Sequence, residues 1–306
     1  HRDLHSFPPR RSSDLDRSRV IGVNTGFFYI TCLVALVTIS LLLKIRDSLA
    51  MLTGIVVAGS MLGFTASRFV NRIDETESIR DSARKPIGSE FRKVLHDQSL
   101  LRLLAAGFAI NLSIIMLVPV SMLALKRGYG VSDTHALLYA LAQFGASAGA
   151  SFVSARISSA IGPRKTILVS FILLVAIGPV WLLAPSKFHP VCMLLPFVFA
   201  GATFVVTSNA ITHYFLQTVP EERRVASSMF LSVVNGAGAG VIGMLLAGTL
   251  LDLSTRINPA DSVLRGYRLY FGIAFLLLVG GVWIILRLTP LPLEKRKIKK
   301  SWSETV

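Results

Sequence analysis

Residues 103–125 read LLAAGFAINLSIIMLVPVSMLAL, 23 positions without a charged side chain. A bilayer core is about 30 Å thick and needs about 20 helical residues at 1.5 Å each, and soluble core helices seldom run so far without a charge. Seven more stretches share this character: 20–43, 48–67, 134–155, 166–186, 188–220, 225–251 and 269–286. In chain order the eight are spans A to H, with 103–125 as span C. The expected fold class is all-α, a polytopic helical membrane protein with eight transmembrane helices.

A formal charge of +15 could be taken for a nucleic-acid footprint, so the position of the basic residues decides. They sit between the spans. If the spans alternate direction from a cytoplasmic N-terminus, the inside segments hold Arg17, Arg19, the basic run from Arg68 to Arg102, Arg156, Arg164, Lys165, Arg223, Arg224 and the cluster 287–300. The outside segments hold only Lys44, Arg46, Lys126, Arg127, Lys187, Arg256, Arg265 and Arg268. That asymmetry obeys the positive-inside rule and puts both termini in the cytoplasm. The charge is thereby explained by topology, and no nucleic acid is expected as a partner.

Cys32 and Cys192 both fall inside apolar spans, which excludes a disulfide framework and a CxxC metal site. HExxH and Walker-type glycine loops are absent from the sequence. No catalytic residue, metal ligand or cofactor is therefore expected. Residues 1–15, HRDLHSFPPRRSSDL, suit neither a signal sequence nor an amphipathic anchor. They resemble the conceptual translation of a sequencing adapter and are read as a non-native leader, which would leave the biological chain truncated upstream of Asp16; a disordered basic leader is the alternative.

The remaining chain divides at its charges. Residues 16–70 hold spans A and B, 71–99 form a charged cytoplasmic linker, 100–290 hold six closely spaced spans, and 291–306 are a basic tail. Within the linker, Ser89 as an N-cap and Phe91, Val94 and Leu95 opposite Arg92 and Lys93 suit a short amphipathic helix, or a solvated linker with one helical turn. Glycines four apart mark helix faces open to close approach: Gly22 and Gly26, Gly59 and Gly63, Gly145 and Gly149, Gly236 and Gly240. The dense run from Gly236 to Gly248 predicts a helix that bends or slides.

The connection from D to E reads ARISSAIGPRKT, residues 155–166. It resembles the short cytoplasmic loop that recurs in both halves of major facilitator superfamily transporters, with Gly162, Arg164 and Lys165 matching its basic end. Ser159 stands at the acidic position and Ala155 at the leading glycine, so the family's gate charge pair is not carried onto this loop. VPEERRVASSMF, residues 219–230, is similar to the loop before that family's glycine-rich eleventh span, and DRSRVIGVNTGFF, residues 16–28, is a weaker echo of it. The resemblance implies two six-helix halves, with A and B as spans five and six and C to H as seven to twelve. It also implies cytoplasmic gating loops, carried here by Gly162, Arg164 and Lys165 in one and by Arg223 in the other.

Polar side chains in a span cost free energy unless they face a cavity or a partner. Amides occur in A (Asn24), C (Asn111), D (Gln143), F (Asn209) and G (Asn235), with Gln217 at the frayed end of F, and none in B, E or H. In the family resembled, those last three positions are peripheral and the others line the central cavity. Asn111, Gln143, Thr207, Asn209 and Asn235 are thus the candidate cavity residues. Each amide has a second reading as an interhelical hydrogen bond contributing about 1 kcal/mol. His213 is read either as a proton relay or as an interfacial histidine, and Pro119, Pro179, Pro190 and Pro196 as hinges or packing bends.

The expected function is secondary active transport of a small solute, with or without a coupling proton or ion, by alternating access in a bacterial cytoplasmic membrane. The stretch given is expected to be inactive alone if truncated. Two other classes stay open: a polytopic membrane enzyme acting on lipid or glycan, which would need a reactive cluster of carboxylates and histidines, and a structural or sensory helical membrane protein.

Overall fold

The computed structural model describes residues 10–45, 48–70, 95–220, 223–257 and 263–289. The amphipathic segment expected around Ser89 to Val94 and the basic tail 291–306 lie outside them. Among the described residues the chain is helical, without strands. Helix α1 is Arg10–Ile45 and α2 is Leu49–Val70. After residues 71–94 come α3 (Gln98–Leu123), α4 (Asp133–Ile161), α5 (Pro163–Val175), α6 (Ile177–Leu182) and α7 (Pro190–Thr218). The last three are α8 (Arg224–Ser232), α9 (Ala239–Ile257) and α10 (Val263–Leu286). Seven stretches of the described residues are long and apolar enough to cross a membrane: Arg19–Leu42, Gln98–Gly128, Asp133–Ile161, Pro163–Leu182, Pro190–Thr218, Arg224–Ile257 and Val263–Leu286. Helix α2, read from the sequence as span B, has 22 residues and joins the rest through α1.

Local chemistry sets where these helices begin and end. Asp97 caps α3, its carboxylate accepting from the Ser99 and Leu100 amides at 3.0 and 3.3 Å. The expected cytoplasmic loop 155–166 is almost entirely helical, because Gly162 alone makes the turn. Its φ of +89° and ψ of +148° are open only to glycine, and Pro163 then starts α5 where its missing N–H does no harm. Span E is interrupted at Ala176 between α5 and α6, three residues before Pro179, which cannot donate to the preceding turn. Pro196, by contrast, lies inside an unbroken α7. Span G contains a π-helical turn, Val233–Gly238, joining α8 to α9 at the head of its glycine run. Span H starts six residues earlier than its apolar core, at Val263, so Arg265 and Arg268 are helical; a long cationic side chain reaches the rim from there and need not end the helix.

Helix α3 runs through the centre of the six-span unit, against α7, α9 and α10; α5 and α6 lie on α7 and α10. Trp181 stacks on Phe271 with ring centroids 5.2 Å apart and 12° between planes, and Phe197 meets it edge-on at 6.4 Å. The buried Tyr270 hydroxyl donates to the Met116 carbonyl at 2.8 Å, tying α10 to α3.

Lipid tails are as apolar as leucine, so membrane helices associate through close packing and hydrogen bonds more than through hydrophobic burial. The seams of α4 show this. Ser147, Ser151, Ser154 and Ser158 recur along one face, all buried. Ser147, Ser151 and Ser154 donate to carbonyls of their own helix, at 2.6 to 2.9 Å, leaving a narrow ridge. Helix α7 closes on it at Gly201, where an added Cβ would fall 2.2 Å from the Gln143 carbonyl oxygen. Helix α1 closes on it at Gly22 and Gly26, whose added Cβ atoms would meet the Ser151 carbonyl oxygen and the Phe152 ring. The glycine pair of span A is therefore a packing face. A Cβ added at Gly59 or Gly63 of α2, or at Gly236 or Gly240, would meet nothing beyond its own helix turn within 4 Å among the described residues.

Candidate functional site

The amides read as cavity residues separate into two groups. Asn111 and Asn235 both approach Gly107. Asn111, half-buried on α3, donates from Nδ2 to the Gly107 carbonyl one turn earlier at 2.9 Å. Asn235, buried in the π-helical turn, lays its side-chain amide on Gly107 from the other helix. Two polar groups from α3 and span G therefore face one backbone position.

Asn209 is engaged at both ends. Its Nδ2 donates to Ser154 Oγ on α4 at 2.8 Å, and its Oδ1 accepts from Thr25 Oγ1 on α1 at 2.9 Å. That pattern ties three helices together, the alternative weighed for every amide. Thr207 is buried and donates to the Thr203 carbonyl of its own helix. Gln143 is half-buried on α4, its backbone carbonyl against Gly201, and α4 packs mainly on α7 and α1, away from the Asn111 and Asn235 pair. Asn24 is exposed on α1.

His213 is buried and bonded through both ring nitrogens, to Ser158 Oγ at 3.1 Å and to Gln217 Nε2 at 2.9 Å. Histidine here cross-links α7 to α4, one turn beyond Asn209.

The residues read as gating loops gather near one end of the helices. Arg164 donates from Nη2 to the Leu286 carbonyl at 2.7 Å, placing a cation at the C-terminus of α10. Lys165 and Arg223 are exposed. The neighbour of Arg223 does more: Arg224 donates to the Leu216 and Val219 carbonyls at 3.1 and 3.2 Å, capping the end of α7. Tyr214 donates to the Thr289 carbonyl at 2.8 Å and meets its hydroxyl at 2.9 Å, while Ser99 Oγ lies 3.2 Å from the same hydroxyl. Segment 286–289 is thus fastened to the start of α3, the start of α5 and the end of α7. Sequence reading missed Ser99, Tyr214, Arg224 and Thr289; only Arg224, an arginine six residues past a helix end, carries a local signal.

At the opposite end Arg268 donates to the Ala184 carbonyl after α6 and to Ser186 Oγ. Tyr129 reaches the Pro185 carbonyl, and its ring lies 5.8 Å from Phe188. Burial pushes the Tyr129 phenol above its ordinary range, partly offset by the nearby Arg268 charge. Lys126 and Asp133 pair across the turn between α3 and α4.

A family model described as Major Facilitator Superfamily matches residues 5–243. No curated protein matches the chain at a significant level.

Proposed function

The chain belongs to the major facilitator superfamily and is a membrane transporter of that kind; on that premise we propose that it moves a small solute across the cytoplasmic membrane by secondary active transport. Two six-helix halves rock about a central site, exposing it to each side in turn. Spans A and B belong to the first half as spans five and six, the charged segment 71–99 joins the halves, and residues 100–290 are the second half. Both termini are cytoplasmic, as the basic residues demand.

The observation that carries this reading is the meeting of Asn111 and Asn235 at Gly107. Polar groups inside a bundle are costly unless they serve a pathway or a partner, and here two amides on separate helices share one backbone position. Asn235 also sits in a π-helical turn, a geometry frequent at functional sites. Asn111 and Asn235 therefore face the solute, while Gln143 lies on α4 apart from them. Asn209 holds the scaffold together, and Thr207 is bonded within its own helix. The α1 and α4 seam at Gly22 and Gly26 supports the rocking step, since small residues let the first half bear closely on the second. Gly162, Arg164 and Lys165 with Arg223 lie at the cytoplasmic rim, where Arg164 fixes the turn to the end of α10.

Reconstitution of the complete protein into proteoliposomes loaded with a bacterial small-metabolite extract tests this. Mass spectrometry should find at least one solute leaving faster than from protein-free vesicles, and Asn235→Leu should abolish the difference. Vesicles that retain every solute equally with and without protein would overturn the transport reading.

A further inference from the structure

Across the contact between α3 and the π-helical turn, Asn235 lies against Gly107. Asn235 is 8% exposed, and among the described residues its Oδ1 is buried without a hydrogen-bond partner. Buried carbonyl oxygens in folded proteins are nearly always paired, so an acceptor left open points to a donor from outside the chain. Gly107 explains how the amide is held there. A Cβ added at Gly107 would lie 2.2 Å from Asn235 Nδ2, 2.9 Å from Cγ and 3.1 Å from Oδ1, so the side-chain amide rests directly on the glycine.

The helices cannot simply part to admit a larger residue. Eight positions further along both chains, Gly243 of α9 lies against Ile115 of α3, with an added Cβ 2.9 Å from its Cγ2. The register of α3 against span G is thus set at two points, 107 with 235 and 115 with 243. Asn111 holds the Gly107 carbonyl from its own helix at 2.9 Å. Any side chain at position 107 must displace the Asn235 amide.

We propose that Gly107 is a positioning residue of the solute site, and that it holds Asn235 so that the buried Oδ1 accepts a hydrogen bond from an uncharged donor group of the solute. The inference rests on the transport reading for the identity of the site. Spans 103–125 and 225–251 contain no Asp, Glu, Lys or Arg, so the group that meets these two amides is uncharged, since a charge there would lose its hydration without a counter-charge beside it. The donor is a hydroxyl or a neutral N–H.

The full chain in detergent is tested by thermal shift with two sets of probes. Glycerol, myo-inositol and glucose supply hydroxyl donors; uracil and nicotinamide supply neutral N–H donors. Each is paired with its fully O- or N-methylated counterpart. At least one donor should raise the melting temperature while its methylated counterpart does not, and the responding set identifies the donor. Asn235→Leu should remove the shift, and Gly107→Ala should weaken the apparent affinity at least tenfold. No shift with any donor, or an equal shift with the methylated partner, overturns the acceptor assignment.

A second measurement isolates positioning from folding. Gly107→Ala should lower the ligand-free melting temperature, and adding Asn235→Ala should recover most of that loss without recovering binding. If the double variant stays as destabilised as Gly107→Ala alone, Gly107 acts on packing independently of Asn235 and the positioning role is wrong. Donor binding with no transport in proteoliposomes would leave this inference standing and sink the transport reading; transport unaffected at both positions would do the reverse.

Discussion

Gly22 of α1 lies so close to Ser151 of α4 that a Cβ on the glycine would fall 2.7 Å from the serine carbonyl oxygen. A backbone carbonyl cannot swing aside as a side-chain tip can, so any larger residue must separate the two helices. A Cβ added at Gly59 of α2 would meet nothing beyond its own helix turn within 4 Å among the described residues, which makes it the matched comparison.

Gly22→Leu should destabilise the protein in detergent by about 1–3 kcal/mol, the range for forcing volume into a filled seam. Gly59→Leu should be within about 0.5 kcal/mol of the parent, as surface changes usually are. Thermal unfolding followed by circular dichroism reads both. Equal losses would mean that the α1 and α4 seam contributes nothing special.

Asn209 and Asn235 should fail in opposite ways. Asn209→Leu removes two interhelical bonds and leaves Thr25 and Ser154 facing apolar surface, at about 1–2 kcal/mol in total for bonds of this type. Asn235→Leu removes an acceptor that has no partner among the described residues, so folded yield and melting temperature should hardly move while solute binding is lost. A variant pair with the two outcomes exchanged would reverse the division into scaffold and site.

Gly162→Ala places a Cβ where φ is +89° and ψ is +148°. Strain of about 1–3 kcal/mol follows for a non-glycine residue there. The same change at Gly149, which has a helical backbone and no neighbour within 4 Å, should be neutral or slightly stabilising. Comparing melting temperatures of the two variants checks the turn.

Arg164→Gln removes the cation that donates to the Leu286 carbonyl, with an expected cost of about 0.5–1.5 kcal/mol. Faster amide exchange should be confined to the end of α10 and the start of α5. Lys165→Gln, at an exposed neighbour, should leave exchange there unchanged. Identical exchange maps for Arg164→Gln and the parent would show that Arg164 does not fasten α10.

In a background lacking Cys32 and Cys192, Gly88→Cys and Ser301→Cys should be shielded from an impermeant thiol reagent in intact cells, and Asn258→Cys should react. The expectation follows from the distribution of Lys and Arg between spans. Labelling of Gly88→Cys from outside would invert the orientation of every later loop.

By itself the sequence determined the helical membrane architecture and the placement of the spans, because both depend on sums along the chain. An uncharged run like 103–125 is long enough to cross a bilayer wherever its neighbours lie. It also identified the amide-bearing spans, since residue type alone says which side chains resist lipid. Where helices end was less legible: Arg265 and Arg268 suggested a boundary, yet their length lets them reach carbonyls at the rim from inside α10.

Tertiary structure alone decided what each polar residue does. Asn209 and Asn235 are the same side chain in comparably apolar spans. One has Thr25, 184 positions away, and Ser154, 55 positions away, within bonding distance; the other rests on a glycine with its oxygen open. The serines 147, 151, 154 and 158 likewise became a seam only when α1 and α7 closed on them. Hydrogen bonds and close approach act over about 3 Å and depend on helices far apart in sequence, so no periodicity within one span can encode them.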